Sequence, residues 1–134
     1  MKVTIKICVI EDHIDTLDAI AIFLETEGDY QVSKARSISE AIVVLQTGSF
    51  HIYLIDRKFP DGDGLDLCRR IREFAKTPIV IISAAAYPKD ISDGLAAGAT
   101  RYITKPFDLD HLRAEIDSLT SVTTFSSKSA MAAC

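Results

Sequence analysis

Long apolar runs are missing from the chain. None approaches the roughly 20 residues that a bilayer-spanning helix needs. A basic surplus is missing too. Lys and Arg number 15 against 19 Asp and Glu, a net charge of -4, which argues against a nucleic-acid footprint on this chain. Cysteine is scarce, with Cys8, Cys68 and Cys134 an odd set at wide spacing. That pattern builds neither a disulfide framework nor a zinc site, and a reducing, cytoplasmic setting is the simplest expectation. The opening residues, Met1 to Lys6, alternate apolar and charged side chains rather than forming a leader. No Gly-x-Gly-x-x-Gly or Gly-x-x-x-x-Gly-Lys-Ser/Thr loop follows the first apolar run, which disfavours a nucleotide or flavin binder.

What is present is a regular alternation. Apolar runs occur at Ile5–Ile10, Tyr30–Lys34, Ile52–Ile55, Ile79–Ile82 and Tyr102–Ile103. Three of them are rich in Ile and Val, as strands covered on both faces are. Between them lie stretches with helical spacing. The first carries Ile14, Leu17, Ala21 and Leu24 and stops at Gly28. The second opens on Ser37-Ile38-Ser39-Glu40, a capping-box pattern, and is followed by Gly48. The third carries Leu67, Ile71 and Phe74 before Pro78, and the fourth begins near Pro88 and ends before Gly98. The fifth is capped by Asp108 and presents Leu109, Leu112, Ile116 and Leu119. The order βαβαβαβαβα implies one α/β domain, a parallel sheet with helices on both faces. It occupies residues 1–119. Residues 120–134 contain seven Ser or Thr among fifteen and are expected to be a flexible tail or the start of a linker.

In an open parallel sheet, ligands gather outside the C-terminal strand ends. Here the first run ends in Glu11-Asp12, the third in Asp56, the fourth in Ser83 and the fifth in Thr104-Lys105. Three converging carboxylates repel one another and invite a hard divalent cation with oxygen ligands, such as Mg²⁺. Lys105 supplies positive charge, Ser83 a hydroxyl donor, and an Asp carboxylate is a competent nucleophile toward phosphorus. The set reads as metal-assisted phosphoryl transfer onto Asp56. Each piece has a plainer reading: Glu11-Asp12 as a helix cap, Asp56 as the start of a turn, Lys105 as a solvated loop lysine, Tyr102 as an ordinary strand aromatic. Their shared placement at strand ends outweighs these.

At these residues the chain resembles the receiver domains of two-component response regulators. The matching pieces are Val9-Ile10-Glu11-Asp12, Leu54-Ile55-Asp56, Phe59-Pro60-Asp61-Gly62-Asp63-Gly64, Ile82-Ser83-Ala84, Gly98-Ala99 and Tyr102-Ile103-Thr104-Lys105-Pro106-Phe107. The resemblance covers about Val3 to Leu119. It implies a doubly wound (βα)5 flavodoxin-like sandwich whose five parallel strands run in the order 2-1-3-4-5. It also implies a phosphorylation-activated signalling switch rather than an enzyme, with only self-phosphotransfer and autodephosphorylation. Asp56 would be the phosphoacceptor. Asp12, Asp56 and the backbone carbonyl of Lys58 would bind Mg²⁺ or Mn²⁺, with Glu11 acting mainly through water. Ser83 and Lys105 would contact the phosphoryl group, Lys105-Pro106 would be a cis peptide, and Tyr102 would be the switch aromatic, turning inward as Ser83 moves. The implied partners are a sensor histidine kinase or a phosphotransfer protein, and an output domain or target on the face of the fourth helix, fifth strand and fifth helix, near Ile91, Leu95, Tyr102 and Leu112.

Two residues depart from the family pattern. Arg57 stands where an aliphatic residue is usual, and Lys58 adds a second ammonium at the mouth of the site. Gly98-Ala99-Thr100-Arg101-Tyr102 also lacks the paired acids common in the DNA-binding winged-helix subfamily. A haloacid-dehalogenase-like phosphatase, the nearest enzymatic alternative, would need an acid two residues after the nucleophile, where this chain has Lys58.

Overall fold

In the computed structural model, the aliphatic runs become the middle of a five-stranded sheet, and helices cover both faces. The structure describes residues 4–27 and 30–124, the last four as backbone only. The elements are β1 (Ile5–Ile10), α1 (Ile14–Glu27), β2 (Tyr30–Ala35), α2 (Ile38–Leu45), β3 (Ile52–Asp56), β4 (Lys58–Phe59), β5 (Gly62–Asp63), α3 (Gly64–Arg72), β6 (Ile79–Ser83), α4 (Pro88–Ala96), β7 (Arg101–Thr104) and α5 (Leu109–Thr124). The large sheet runs β2-β1-β3-β6-β7, all parallel, which is the 2-1-3-4-5 order once the two short strands are set aside. Those two, β4 and β5, form an antiparallel ribbon that the sequence shows only as a turn. Among the described residues, no helix is long and apolar enough to cross a membrane.

Alternation along each strand sends neighbouring residues to opposite faces. Ile7, Val9, Ile52, Leu54, Val80 and Ile82 face α1 and α5, meeting Leu17, Ile20, Leu24, Leu112 and Ile116. Cys8, Ile10, Tyr53, Ile55, Ile79 and Ile81 form the other core with Ala41, Leu67, Cys68 and Ile71. Both faces of the central strands are therefore dry, which explains their continuous aliphatic sequence. Burial pushes the thiols of Cys8 and Cys68 up to about 12, so both behave as packing groups. Leu54 is fully buried on the central strand. Leu54→Ala should lower unfolding stability by about 2–5 kcal/mol, read as a fall in the urea midpoint at unchanged slope. An unchanged midpoint would contradict this packing.

The helix ends follow local chemistry. Ser37 Oγ accepts from the Glu40 amide at 3.1 Å, while the Glu40 carboxylate accepts from the Arg36 amide at 2.9 Å, one residue beyond the usual reciprocal partner, the Ser37 amide. Pro88 opens α4, and Asp108 accepts from the Asp110 amide at 2.9 Å to cap α5. Gly98 closes α4 with φ +117°, a left-handed conformation that favours glycine. At that point the Arg72 guanidinium donates to the carbonyls of Gly98 (2.9 Å), Thr77 (2.7 Å) and Ala75 (3.2 Å), tying the end of α3 to the end of α4.

Four expectations from the sequence change. Ile14, placed on the buried face of the first helix, is 45% exposed, because it begins α1 at the rim of the sheet. Phe74 is 62% exposed, because α3 stops at Arg72 and the following turn breaks the helical spacing. Leu112, assigned to the signalling surface, is fully buried, because α5 lies against the sheet on that side. The fifth helix continues past Leu119 to Thr124, so the Ser/Thr-rich composition begins inside it. Gly28, the remainder of the tail and Cys134 lie outside the described residues.

Candidate functional site

The chain passes from β1 to β2 on one side and then to β3 on the other, so the sheet's topological switch point lies between β1 and β3. A crevice forms there at the C-terminal strand ends. Glu11 and Asp12 leave β1, Asp56 is the last residue of β3, Ser83 the last of β6, and Lys105 follows β7. The strand register alone brings residues 94 positions apart in sequence into contact.

Glu11 is fully buried and Asp56 nearly so. Lys105 Nζ lies 2.8 Å from Glu11 Oε1 and 3.1 Å from Asp56 Oδ2, bridging the two carboxylates. The other Asp56 oxygen accepts from its neighbour's amide, Arg57 N, at 2.6 Å. The other Glu11 oxygen accepts from the His13 amide at 3.1 Å. Burial, with Asp56 beside it, pushes the Glu11 carboxyl up to about 7, against the lowering pull of Lys105. Burial opposes the Lys105 charge, yet its hydrogen bonds to Glu11 and Asp56 prevail and hold the ammonium above the ordinary lysine range.

One oxygen each from Glu11, Asp12 and Asp56 lies within 4.8 Å of the others. Three convergent carboxylate oxygens, two of them buried and served by a single ammonium, suit a hard cation such as Mg²⁺. Ser83 is buried, and its Oγ accepts from the Ala85 amide at 3.1 Å, leaving the hydroxyl proton free to point elsewhere. Lys105-Pro106 is cis. The side chain of Lys58 is exposed on the β4 rim.

Residues 7–117 match the model of the response regulator receiver domain family. The chain belongs to that family. The nisin biosynthesis regulatory protein NisR of Lactococcus lactis is 33% identical over 112 residues, 84% of this chain and 48% of that protein. The transcriptional regulatory protein KdpE of Staphylococcus aureus is 38% identical over 113 residues, 83% and 48% of the two chains. The solved receiver domain of the Francisella response regulator 1452 superposes with a TM-score of 0.85 at 28% identity, covering 90% of this chain and 99% of that one. This receiver domain spans about half the length of the curated relatives it matches.

Around the carboxylates the receiver domain has further polar structure that sequence reasoning did not assign. Asp61, in the turn between β4 and β5, accepts from the amides of Ile38 and Ser39, each at 3.0 Å, and so caps α2 from across the site. Asp63 caps α3 through the Leu65 amide at 2.8 Å. The Tyr102 hydroxyl donates to the Ala85 carbonyl at 2.6 Å, and the Arg57 guanidinium reaches the same hydroxyl. In the sequence Arg57 is marked by its place directly after Asp56 and by standing where the family usually has an aliphatic residue, but its partners are 33 and 45 residues away.

Proposed function

We propose that this receiver domain is a phosphorylation-activated switch with Asp56 as its phosphoacceptor. The observation that carries the reading is the strand-end cluster itself, in which a nearly buried Asp56 carboxylate shares one ammonium with Glu11 and stands beside Asp12. The donor would be the phosphohistidine of a sensor histidine kinase or a phosphotransfer protein, in a cytoplasmic setting. An Asp56 oxygen forms the new P–O bond, the P–N bond to the donor imidazole breaks with its electron pair going to nitrogen, and that nitrogen takes up a proton from solvent. Hydrolysis of the acyl phosphate returns the carboxylate and inorganic phosphate, and this autodephosphorylation resets the switch.

The chain's own residues prepare that transfer. Lys105 can turn one N–H from the carboxylates to a phosphoryl oxygen and neutralise it. Ser83, anchored by the Ala85 amide, can give its hydroxyl proton to the same group. Glu11, Asp12, Asp56 and the Lys58 carbonyl would hold Mg²⁺ or Mn²⁺. The cation would offset the charge of the acids and of the incoming phosphoryl oxygens. Ser83 and Lys105 sit at the ends of the strands flanking α4, so a group drawing on both biases the packing of α4, β7 and α5. That face would meet an output domain or target protein.

Beryllofluoride, a phosphoryl mimic, tests the reading. With Mg²⁺ it should shift backbone NMR signals at Asp12 and Asp56 and across residues 84–107. Shifts confined to the loops at Asp12 and Asp56 would refute the signalling face. No shift at all would refute the acceptor site.

A further inference from the structure

Arg57 is the departure from the family pattern that the phosphoacceptor reading leaves without a role. Its backbone is part of the site, since its amide donates to Asp56 Oδ1 at 2.6 Å. Its side chain runs the other way, toward α4 and β7, and is 14% exposed. One guanidinium nitrogen lies 3.1 Å from the Asp90 carbonyl, 3.4 Å from the Tyr102 hydroxyl and 3.7 Å from the Asp90 carboxylate. Asp90 is in the first turn of α4, and its carboxylate also accepts from the Tyr87 amide at 3.1 Å.

The proton accounting at Tyr102 is consistent. The hydroxyl has one proton, which goes to the Ala85 carbonyl at 2.6 Å, so toward Arg57 the oxygen can only accept. Arginine is always a donor, and a charged donor to a neutral oxygen makes a stronger bond than a neutral one. The ring is seated against α4 backbone at Gly94, where an added Cβ would lie 2.7 Å from the ring. Tyr102 is thus held at its tip by Ala85 and Arg57 and along its ring by a notch in α4. An aliphatic residue at 57 would supply none of the tip contact.

We propose that Arg57 is a positioning residue that clasps Tyr102 and the first turn of α4 against the end of β3 before any phosphoryl group arrives. This deepens the phosphoacceptor reading of Asp56 and rests on it for its biological meaning. A contact that favours the clasped arrangement without phosphate must also favour, by up to the same factor, any ligand that binds that arrangement better. The receiver domain therefore begins from a biased equilibrium, and the phosphoryl group completes a shift that Arg57 has started.

The test uses the whole chain labelled with 3-fluorotyrosine and read by ¹⁹F NMR. The chain has four tyrosines, and the Tyr102 signal is assigned with Tyr102→Phe; Tyr87, 79% exposed, is the internal reference for a solvated ring. Without beryllofluoride, Arg57→Met should move the Tyr102 signal toward the Tyr87 position and open it to a soluble paramagnetic agent. Arg57→Lys should fall between Met and the unaltered chain. Asp90→Asn, which keeps both the Tyr87 bond and the main-chain carbonyl, should loosen Tyr102 partially and carries the test if the Met variant folds poorly. Adding Mg²⁺ and beryllofluoride should return the Arg57→Met signal to the unaltered position, with the analogue needed at about tenfold higher concentration. An analogue-free Tyr102 signal that is the same in Arg57→Met, Asp90→Asn and the unaltered chain overturns the proposal. Bound beryllofluoride has its own ¹⁹F signal. Its absence from the unaltered chain would overturn the acceptor reading, while the analogue-free spectra would still decide the role of Arg57.

Discussion

Asp56→Asn is expected to take up no phosphoryl group from acetyl phosphate, where the unaltered chain is labelled in Mg²⁺ and unlabelled in EDTA. The substitution keeps the shape of the side chain. The amide oxygen can still accept from the Arg57 amide or from Lys105, so the fold around the strand end has no reason to change. What is lost is the second anionic oxygen and with it the nucleophile, since a carboxamide does not form an acyl phosphate. Removing one of three clustered acids also relieves repulsion, so the variant should unfold at a urea concentration equal to or above that of the unaltered metal-free chain. Intact-mass measurement and Phos-tag electrophoresis read the first effect, and a urea titration the second. Labelling of Asp56→Asn equal to that of the unaltered chain, or undiminished labelling in EDTA, would remove Asp56 and the cation from the mechanism.

Gly64→Ala should damage both stability and site, although a single methyl is added on a helix where alanine is ordinarily favoured. Gly64 begins α3 beneath the end of β3, and its amide donates to the Arg57 carbonyl at 2.6 Å. A Cβ there would lie 2.1 Å from the Asp56 carbonyl oxygen and 3.0 Å from Arg57 Cα. Both obstacles are main chain, so no side-chain rotation relieves them. The strand end or the whole helix must move. The loss should reach about 3 kcal/mol or more, above the usual range for one extra methyl in a core. Beryllofluoride affinity should fall with it, because the displaced segment carries Asp56, the proposed acceptor, and the Lys58 carbonyl. Gly62→Ala is the control: an added Cβ there meets only an Ile38 side-chain carbon at 3.2 Å, so a much smaller loss is expected. Equal urea midpoints for Gly64→Ala and the unaltered chain would show that this close approach is not required.

The sheet was legible because burial on two faces leaves an unbroken aliphatic record at Ile7–Ile10, Ile52–Ile55 and Ile79–Ile82. Strand ends were legible for the same reason: the first polar residue after each run marks where the dry interior stops, and those residues are Glu11, Asp56 and Ser83. Helix faces were less legible at their margins. Helical spacing says which residues share a side but not how far the partner surface extends, so Ile14 and Phe74 were assigned to a core that stops short of them. Leu112 differs in the opposite direction, since the face proposed for signalling and the buried face adjoin on the same helix. The β4–β5 ribbon is two residues per strand, too short for any alternation to register. Arg57 marks the deeper limit. A residue's neighbours in sequence reveal its strand position, whereas the contacts to Asp90 and Tyr102 exist only once β3, β7 and α4 are assembled.

The Arg72 anchorage at Gly98 has a mechanical consequence. It fixes α4 at its C-terminal end, where three carbonyls converge on one guanidinium and the chain soon reaches β7 at Arg101. A main-chain bond from Thr100 N to the Ile79 carbonyl at 2.7 Å adds to that hold, whereas the first turn of α4 is held across the fold by the Arg57 guanidinium on the Asp90 carbonyl. A rod held more firmly at one extremity tilts about that end once the other is released, and its displacement grows with distance from the pivot. With nine residues at about 1.5 Å each, the arm is roughly 13 Å long, so a tilt of about 10° moves its tip by about 2 Å while the pivot stays in place. Motion would then be greatest beside the carboxylates and fade toward Gly98, and exchange of the hydrogen-bonded amides of α4 should be graded in the same direction, faster at Ile91 than at Ala96.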